Sequence, residues 1–113
     1  MHELAQLDFC YLTTTGRVSG RHHTIEIWFA LEGSTIFLLA GNHTSDWVKN
    51  LKQQPAVRLR LGDHEYTAQA RVVHEPAEDA LARRLVVGKY QPKSSDDLSE
   101  WGRTALVVAL DVS

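Results

Sequence analysis

Between Thr24 and Leu31 the chain alternates without a slip. Ile25, Ile27, Phe29 and Leu31 fall on one side, and Thr24, Glu26, Trp28 and Ala30 on the other. A period of two marks a β-strand with one buried face. Such a strand needs hydrogen-bonded neighbours, because an open edge invites aggregation. The neighbours are present. Phe9–Thr14 is rich in aromatic and β-branched residues. Glu32-Gly33-Ser34 reads as a hairpin turn into a strand over Thr35–Ala40, apolar on both faces and therefore central. Val57, Leu59 and Leu61 alternate with Arg58 and Arg60, Gly62-Asp63 turns the chain, and Glu65–Val73 returns. Thr104–Asp111 is a last strand, again apolar on both faces.

Helices punctuate the strands. Leu4 and Leu7 suggest a short helical lead-in over residues 2–8. Thr44 or Ser45 is an N-cap, Asp46 suits the first turn, and Trp47, Val48 and Leu51 share a face until Pro55 ends the helix. Pro76 opens a second helix over residues 76–87, with Gly88 at its C-terminal end. Gln91–Glu100 is polar and reads as a surface loop, long enough to serve as a lid or an interface segment. The expected architecture is mainly β: a six-stranded antiparallel split β-barrel with two to three peripheral helices. Closure removes the edges that a flat sheet of such strands would leave.

The 113 residues correspond to one domain, 1–113, with room for one core. A net charge of -2 and the lack of a basic stripe argue against nucleic acid as a partner. No apolar run reaches the length of a membrane span, and the first residues lack signal-peptide features, so a cytoplasmic protein is expected. Cys10 cannot form an internal disulfide and sits in an apolar run as a core filler. The six histidines show no ligand spacing, so no metal site is expected. No nucleophile elbow is present either.

The loop between the first two strands is where chemistry concentrates. Thr15-Gly16-Arg17-Val18-Ser19-Gly20-Arg21 combines two glycines, two arginines and hydroxyls at Thr15 and Ser19. Glycine admits close approach of a ligand, and arginine offers a planar fork to phosphate. Composition alone favours a hairpin turn with solvated side chains over an anion cradle.

Two segments together carry a resemblance. Leu12-Thr13-Thr14-Thr15-Gly16-Arg17-Val18-Ser19-Gly20 resembles the LLTTTGRxSG signature of the deazaflavin-dependent nitroreductase and quinone-reductase family. Trp47-Val48-Lys49-Asn50-Leu51-Lys52-Gln53-Gln54-Pro55-Ala56-Val57 resembles that family's WxxNLxxNPxV helix-to-strand motif. The resemblance runs from about Phe9 to Leu110. It implies a split barrel related to the flavin-binding barrels of pyridoxamine-phosphate-oxidase type. It also implies coenzyme F-420 as cofactor, with FMN as the alternative. The phosphate or polar tail is then expected near Arg17, Ser19 and Gly20, with Thr15 and Arg21 in the same loop. The ring system is expected beside Ala40, Gly41 and Asn42, with Trp47 and Asn50. Val18 departs from the family pattern, which often carries a basic residue there, and Gly41–Ser45 is shorter than its counterpart.

The expected function is hydride transfer from the deazaflavin to a small electron-poor acceptor such as a quinone, enone or nitroaromatic. Tyr90 is a candidate proton donor. A homodimer is expected, with Glu26 and Trp28 on its face. The alternatives are an FMN-dependent reductase or oxidase, and a non-catalytic flavin-binding or dimerising barrel.

Overall fold

The computed structural model describes all residues, Met1–Ser113. After a 3-10 turn at His2–Leu4, the chain runs through β1 (Cys10–Thr15), β2 (His22–Ile27), β3 (Ala30–Glu32) and β4 (Thr35–Ala40). Next come α1 (Asp46–Gln53), β5 (Ala56–Leu61), β6 (His64–Val72) and α2 (Pro76–Tyr90). A 3-10 turn at Gln91–Lys93, α3 (Ser99–Thr104) and β7 (Leu106–Val112) complete it. All strand pairs are antiparallel, in the order β2-β1-β5-β6-β7-β4-β3. The two edges, β2 and β3, follow one another in the chain with only Trp28 and Phe29 between them. The curled sheet is therefore closed through the chain at that corner rather than by a hydrogen-bond ladder, which makes it a split barrel.

That corner is where the structure corrects the strand count. The alternating stretch His23–Leu31 is two strands, giving seven rather than six. Its first half pairs with β1 and its second with β4. Burial stops alternating at the same place: Phe29 and Ala30, on opposite faces of the sheet, are both buried, each in a different core. The backbone groups of Phe29 lose their ladder partners and take side chains instead. Its N–H donates to the Tyr90 hydroxyl at 3.0 Å, and its carbonyl accepts from Lys89 Nζ at 3.0 Å. The Tyr90 hydroxyl in turn donates to the Asp8 carbonyl at 2.8 Å. A buried strand break without such partners would leave costly unpaired polar groups.

Two apolar clusters explain the burial of the central strands. Inside the barrel lie Leu12, Phe29, Ile36, Leu38, Leu59, Val108 and Leu110 with their neighbours. Beneath α2, on the outer face of β4 and β7, lie Phe37, Leu39, Val107 and Ala109, against Ala82, Val86 and Tyr90. Alternate residues of β4 and β7 thus enter different cores, which is why both faces of these strands are apolar.

Helix α2 does not end at Gly88; it runs on to Tyr90. An added Cβ at Gly88 would meet nothing, so no packing demands that glycine, whereas the extra turn delivers Lys89 and Tyr90 to the corner. The segment read as a loop over Gln91–Glu100 holds a 3-10 turn and the start of α3, and β7 begins at Leu106 rather than Thr104. Gly102 lets α3 approach α2, since a Cβ there would run into Val87. No helix is long and apolar enough to cross a membrane.

Candidate functional site

The Gly16–Arg21 loop is a closed, tightly bonded ring. The Gly16 N–H donates to the Arg21 carbonyl at 2.7 Å, the Gly20 N–H to the Gly16 carbonyl at 2.9 Å, and the Arg21 N–H to Ser19 Oγ at 3.1 Å. Gly20 sits at φ 74°, a region that a side chain disfavours. Gly16 has no room for a Cβ, which would lie 2.8 Å from Ser19 Oγ and 3.2 Å from the Arg21 carbonyl. The N–H groups of Val18 and Ser19 at the tip have no intramolecular partner. Val18 itself is 93% exposed.

Helix α1 locks this loop from the side. Asn50, only 4% exposed, accepts from the Arg17 backbone N–H at 3.1 Å and from Arg17 Nη1 at 2.8 Å. Its amide donates to Thr14 Oγ1 at 3.4 Å. Arg17 Nη2 also reaches Asp46 Oδ1 at 3.3 Å. The guanidinium is therefore held in one place before any ligand arrives, while its Nε has no protein partner.

Between the loop, β2 and α1 lies a cleft of about 660 Å³. Thr14, Gly16, Arg17, Val18 and Ser19 form one wall, His22, His23, Thr24 and Ile25 another, and Asp46, Trp47 and Asn50 the third. Ser45 is the N-cap of α1, yet its side chain caps nothing, and its Oγ is buried without a partner. The first N–H groups of the helix are also unpaired within the chain. Free N–H groups at a helix start, free N–H groups at the loop tip and a fixed guanidinium make a donor-rich cleft that fits an anionic, carbonyl-bearing cofactor. Trp47 and Ile25 supply apolar surface for a ring.

Of the residues expected at the site, the cleft brings together Arg17, Ser19, Trp47 and Asn50. Gly20 and Arg21 belong to the same loop but do not line it. Thr15 points the other way and lines a separate hollow with Thr13, His22 and Arg58, as the alternation of β1 requires. Ala40, Gly41 and Asn42 lie outside the cleft at the end of β4, where Gly41 abuts the Trp101 ring. Asn42 is occupied locally, its Oδ1 accepting from the Thr44 N–H and hydroxyl. Tyr90 is 3% exposed at the barrel corner and stacks on Trp28 with ring centroids 4.2 Å apart. Burial pushes its phenol up to about 12.

Thr14, His22, His23, Thr24, Ile25 and Asp46 also line the cleft and are not among the residues expected from the sequence. Thr14 was reachable from strand parity, since it alternates with Thr15. His22 and His23 enter because β2 begins at the loop, and His22 Nδ1 lies 2.9 Å from an Arg58 guanidinium nitrogen. No three His, Cys, Asp or Glu side chains converge to hold a metal ion. Cys10 lies far inside the barrel core, where burial pushes its thiol up to about 12.

Comparison with known proteins gives this cleft a context. No curated protein sequence matches the chain significantly. Among solved structures, an F-420-H2-dependent reductase (FDR-A) superposes with TM-score 0.75 at 22% identity, covering 91% of this chain and 93% of that one. A domain-swapped dimer gives 0.75 at 22% identity, covering 91% and 79%. The haem storage protein HutZ from Vibrio cholerae gives 0.73 at 17% identity, covering 99% and 87%. At these identities the likeness establishes the fold, which serves more than one purpose. The family model for F-420-H(2)-dependent quinone reductase, however, matches residues 1–110. The chain therefore belongs to the F-420-H(2)-dependent quinone reductase family, a family of oxidoreductases that work with coenzyme F-420.

Proposed function

We propose that this protein reduces a small electron-poor acceptor, of quinone, enone or nitroaromatic type, using reduced coenzyme F-420 held in the cleft beside Arg17. Bound reduced F-420 supplies a hydride. The chain supplies the setting. Arg17, the Ser19 hydroxyl and the N–H groups of Val18 and Ser19 receive the phosphate of the cofactor. Trp47 and Ile25 flank its ring, and the start of α1 offers N–H groups to the carbonyl edge of the ring. The observation that carries this reading is Arg17 itself, which lines the cleft, is fixed by Asn50 at 2.8 Å and keeps donors that no protein group takes. Orientation of two reactants is a large part of what such a site contributes.

Fluorescence titration with coenzyme F-420 and with FMN tests the reading. F-420 binds and FMN binds more weakly. Arg17→Ala weakens F-420 binding by at least about ten-fold, since a charge-assisted contact is worth roughly 1.5–3 kcal/mol. Absence of F-420 binding at high micromolar concentration, or unchanged affinity in Arg17→Ala, would sink it. Anaerobic oxidation of reduced F-420 against a panel of quinones, enones and nitroaromatics then names the acceptor class. A homodimer is proposed on the resemblance and on the domain-swapped relative, and sedimentation measures it.

A further inference from the structure

Arg17 and Asp46 bring the one Arg or Lys and the one Asp or Glu to the cleft wall. They lie 3.3 Å apart, and Asn50 grips the guanidinium from its other side at 2.8 Å. Arg17 cannot swing away from Asp46 without giving up that grip. A phosphate taken by Arg17 therefore sits beside the Asp46 carboxylate, which is 88% exposed in the first turn of α1. The residue next to Arg17 is Val18, which brings no second cation. Arg21 follows in the loop but does not line the cleft.

We propose that Asp46 determines cofactor choice by charge: it admits the singly charged phosphodiester of coenzyme F-420 and disfavours the doubly charged phosphomonoester of FMN. The inference rests on the reading that the Arg17 loop receives the phosphate of the cofactor. The formal charges of Arg17 and Asp46 offset one another, so the loop and helix N–H groups are left to hold the first negative charge and no second Arg or Lys lines the cleft to hold another. A phosphomonoester carries about -1.5 to -2 at neutral pH, whereas a diester carries one. The extra half to one charge, about 4 Å from a carboxylate in water, costs about two- to five-fold in affinity. Carboxylates further along the F-420 tail are screened beyond about 8 Å at physiological salt and contribute little to this discrimination.

Asp46→Asn removes the repelling charge and keeps a side chain suited to a helix start. The experiment measures dissociation constants of F-420, FMN and riboflavin by fluorescence for the wild type, Asp46→Asn and Arg17→Ala. FMN is read by displacement where direct binding is weak. Asp46→Asn tightens FMN by about two- to five-fold beyond any change for F-420. Riboflavin, which lacks the phosphate, is unaffected, and the FMN gain shrinks in high salt. Equal factors for FMN and F-420, no change for FMN, or an equal gain for riboflavin would each overturn the proposal. Should Arg17→Ala leave F-420 binding intact, the cleft reading falls and the proposal with it. Loss of F-420 binding in Arg17→Ala with no FMN gain in Asp46→Asn removes the proposal alone.

Discussion

Asn50 is the residue on which the preorganisation of the cleft depends, and Asn50→Ala measures that dependence. The substitution removes the acceptor for the Arg17 N–H at 3.1 Å and for Arg17 Nη1 at 2.8 Å, and the weaker donor to Thr14 at 3.4 Å. An orphaned, partly buried backbone N–H costs about 1–3 kcal/mol, and a bond to a charged group contributes about 1.5–3 kcal/mol. The Arg17 side chain is 25% exposed, so water replaces part of the second, and the 3.4 Å contact adds little. The sum is about 2–4 kcal/mol. At about 4 °C per kcal/mol for a domain near this size, the melting temperature falls by roughly 8–16 °C. Asn50→Asp keeps the acceptor for both Arg17 groups, and although it places a carboxylate at a nearly buried position one turn from Asp46, it loses less than Asn50→Ala. Urea denaturation and thermal melts of the two variants, with F-420 titrations beside them, form the assay. A loss below about 1 kcal/mol in Asn50→Ala, or an Asn50→Asp loss as large as that of Asn50→Ala, would refute the clamp. F-420 affinity falls in Asn50→Ala in parallel, because Arg17 must then be ordered by the ligand.

Three further predictions concern the rest of the barrel. Tyr90→Phe removes the hydroxyl that serves Phe29 and Asp8 and lowers stability by about 1–3 kcal/mol. F-420 affinity and turnover hold, and a fall in kcat without loss of stability would instead make Tyr90 a proton donor. Arg71 donates to Glu78 at 2.6 and 2.8 Å and to Asp111 at 2.7 and 3.2 Å, holding both carboxyls below their ordinary 4.5 and 3.8. Because these values are depressed on folding, the stabilisation is complete above the ordinary values and is lost as pH falls through the depressed ones. Arg71→Met therefore flattens the acid limb of the stability profile below about pH 4.5, and an unaltered limb in urea melts would contradict the network. Cys10 has no exposed surface and a thiol pushed up to about 12, so a thiol reagent at pH 8 labels it only as the protein unfolds. Complete labelling within mixing time would refute its burial.

Much of the site was legible in the chain because it rests on short-range chemistry. The glycines at 16 and 20 follow from a tight loop that must bond back on itself and reach a positive φ. The helix from Asp46 to Gln53 follows from a polar start, an apolar face and Pro55. Arg17 and Asn50 could each be singled out, but their union could not, since it joins positions 33 apart. The alternation of β1 also carries the answer to which threonine enters the cleft, yet choosing Thr14 over Thr15 requires knowing which face of the sheet α1 covers. Resemblance puts Ala40, Gly41 and Asn42 near the ring, whereas the contact of Gly41 with Trp101 depends on where α3 carries that tryptophan.

By itself the sequence determined the strand periodicity, the turns, the helix starts and the glycine-arginine loop, because these are set by backbone preferences over a few residues. Only the tertiary structure decided that the most regular strand would break. His23–Leu31 alternates faultlessly, but its two halves form the opposite edges of a curled sheet, one paired with β1 and the other with β4. The break is stable because Lys89 and Tyr90, 60 and 61 residues further on, pair the backbone groups it exposes. A local pattern records which face of a strand is buried; it holds no record of which distant side chains will be there to let the strand stop.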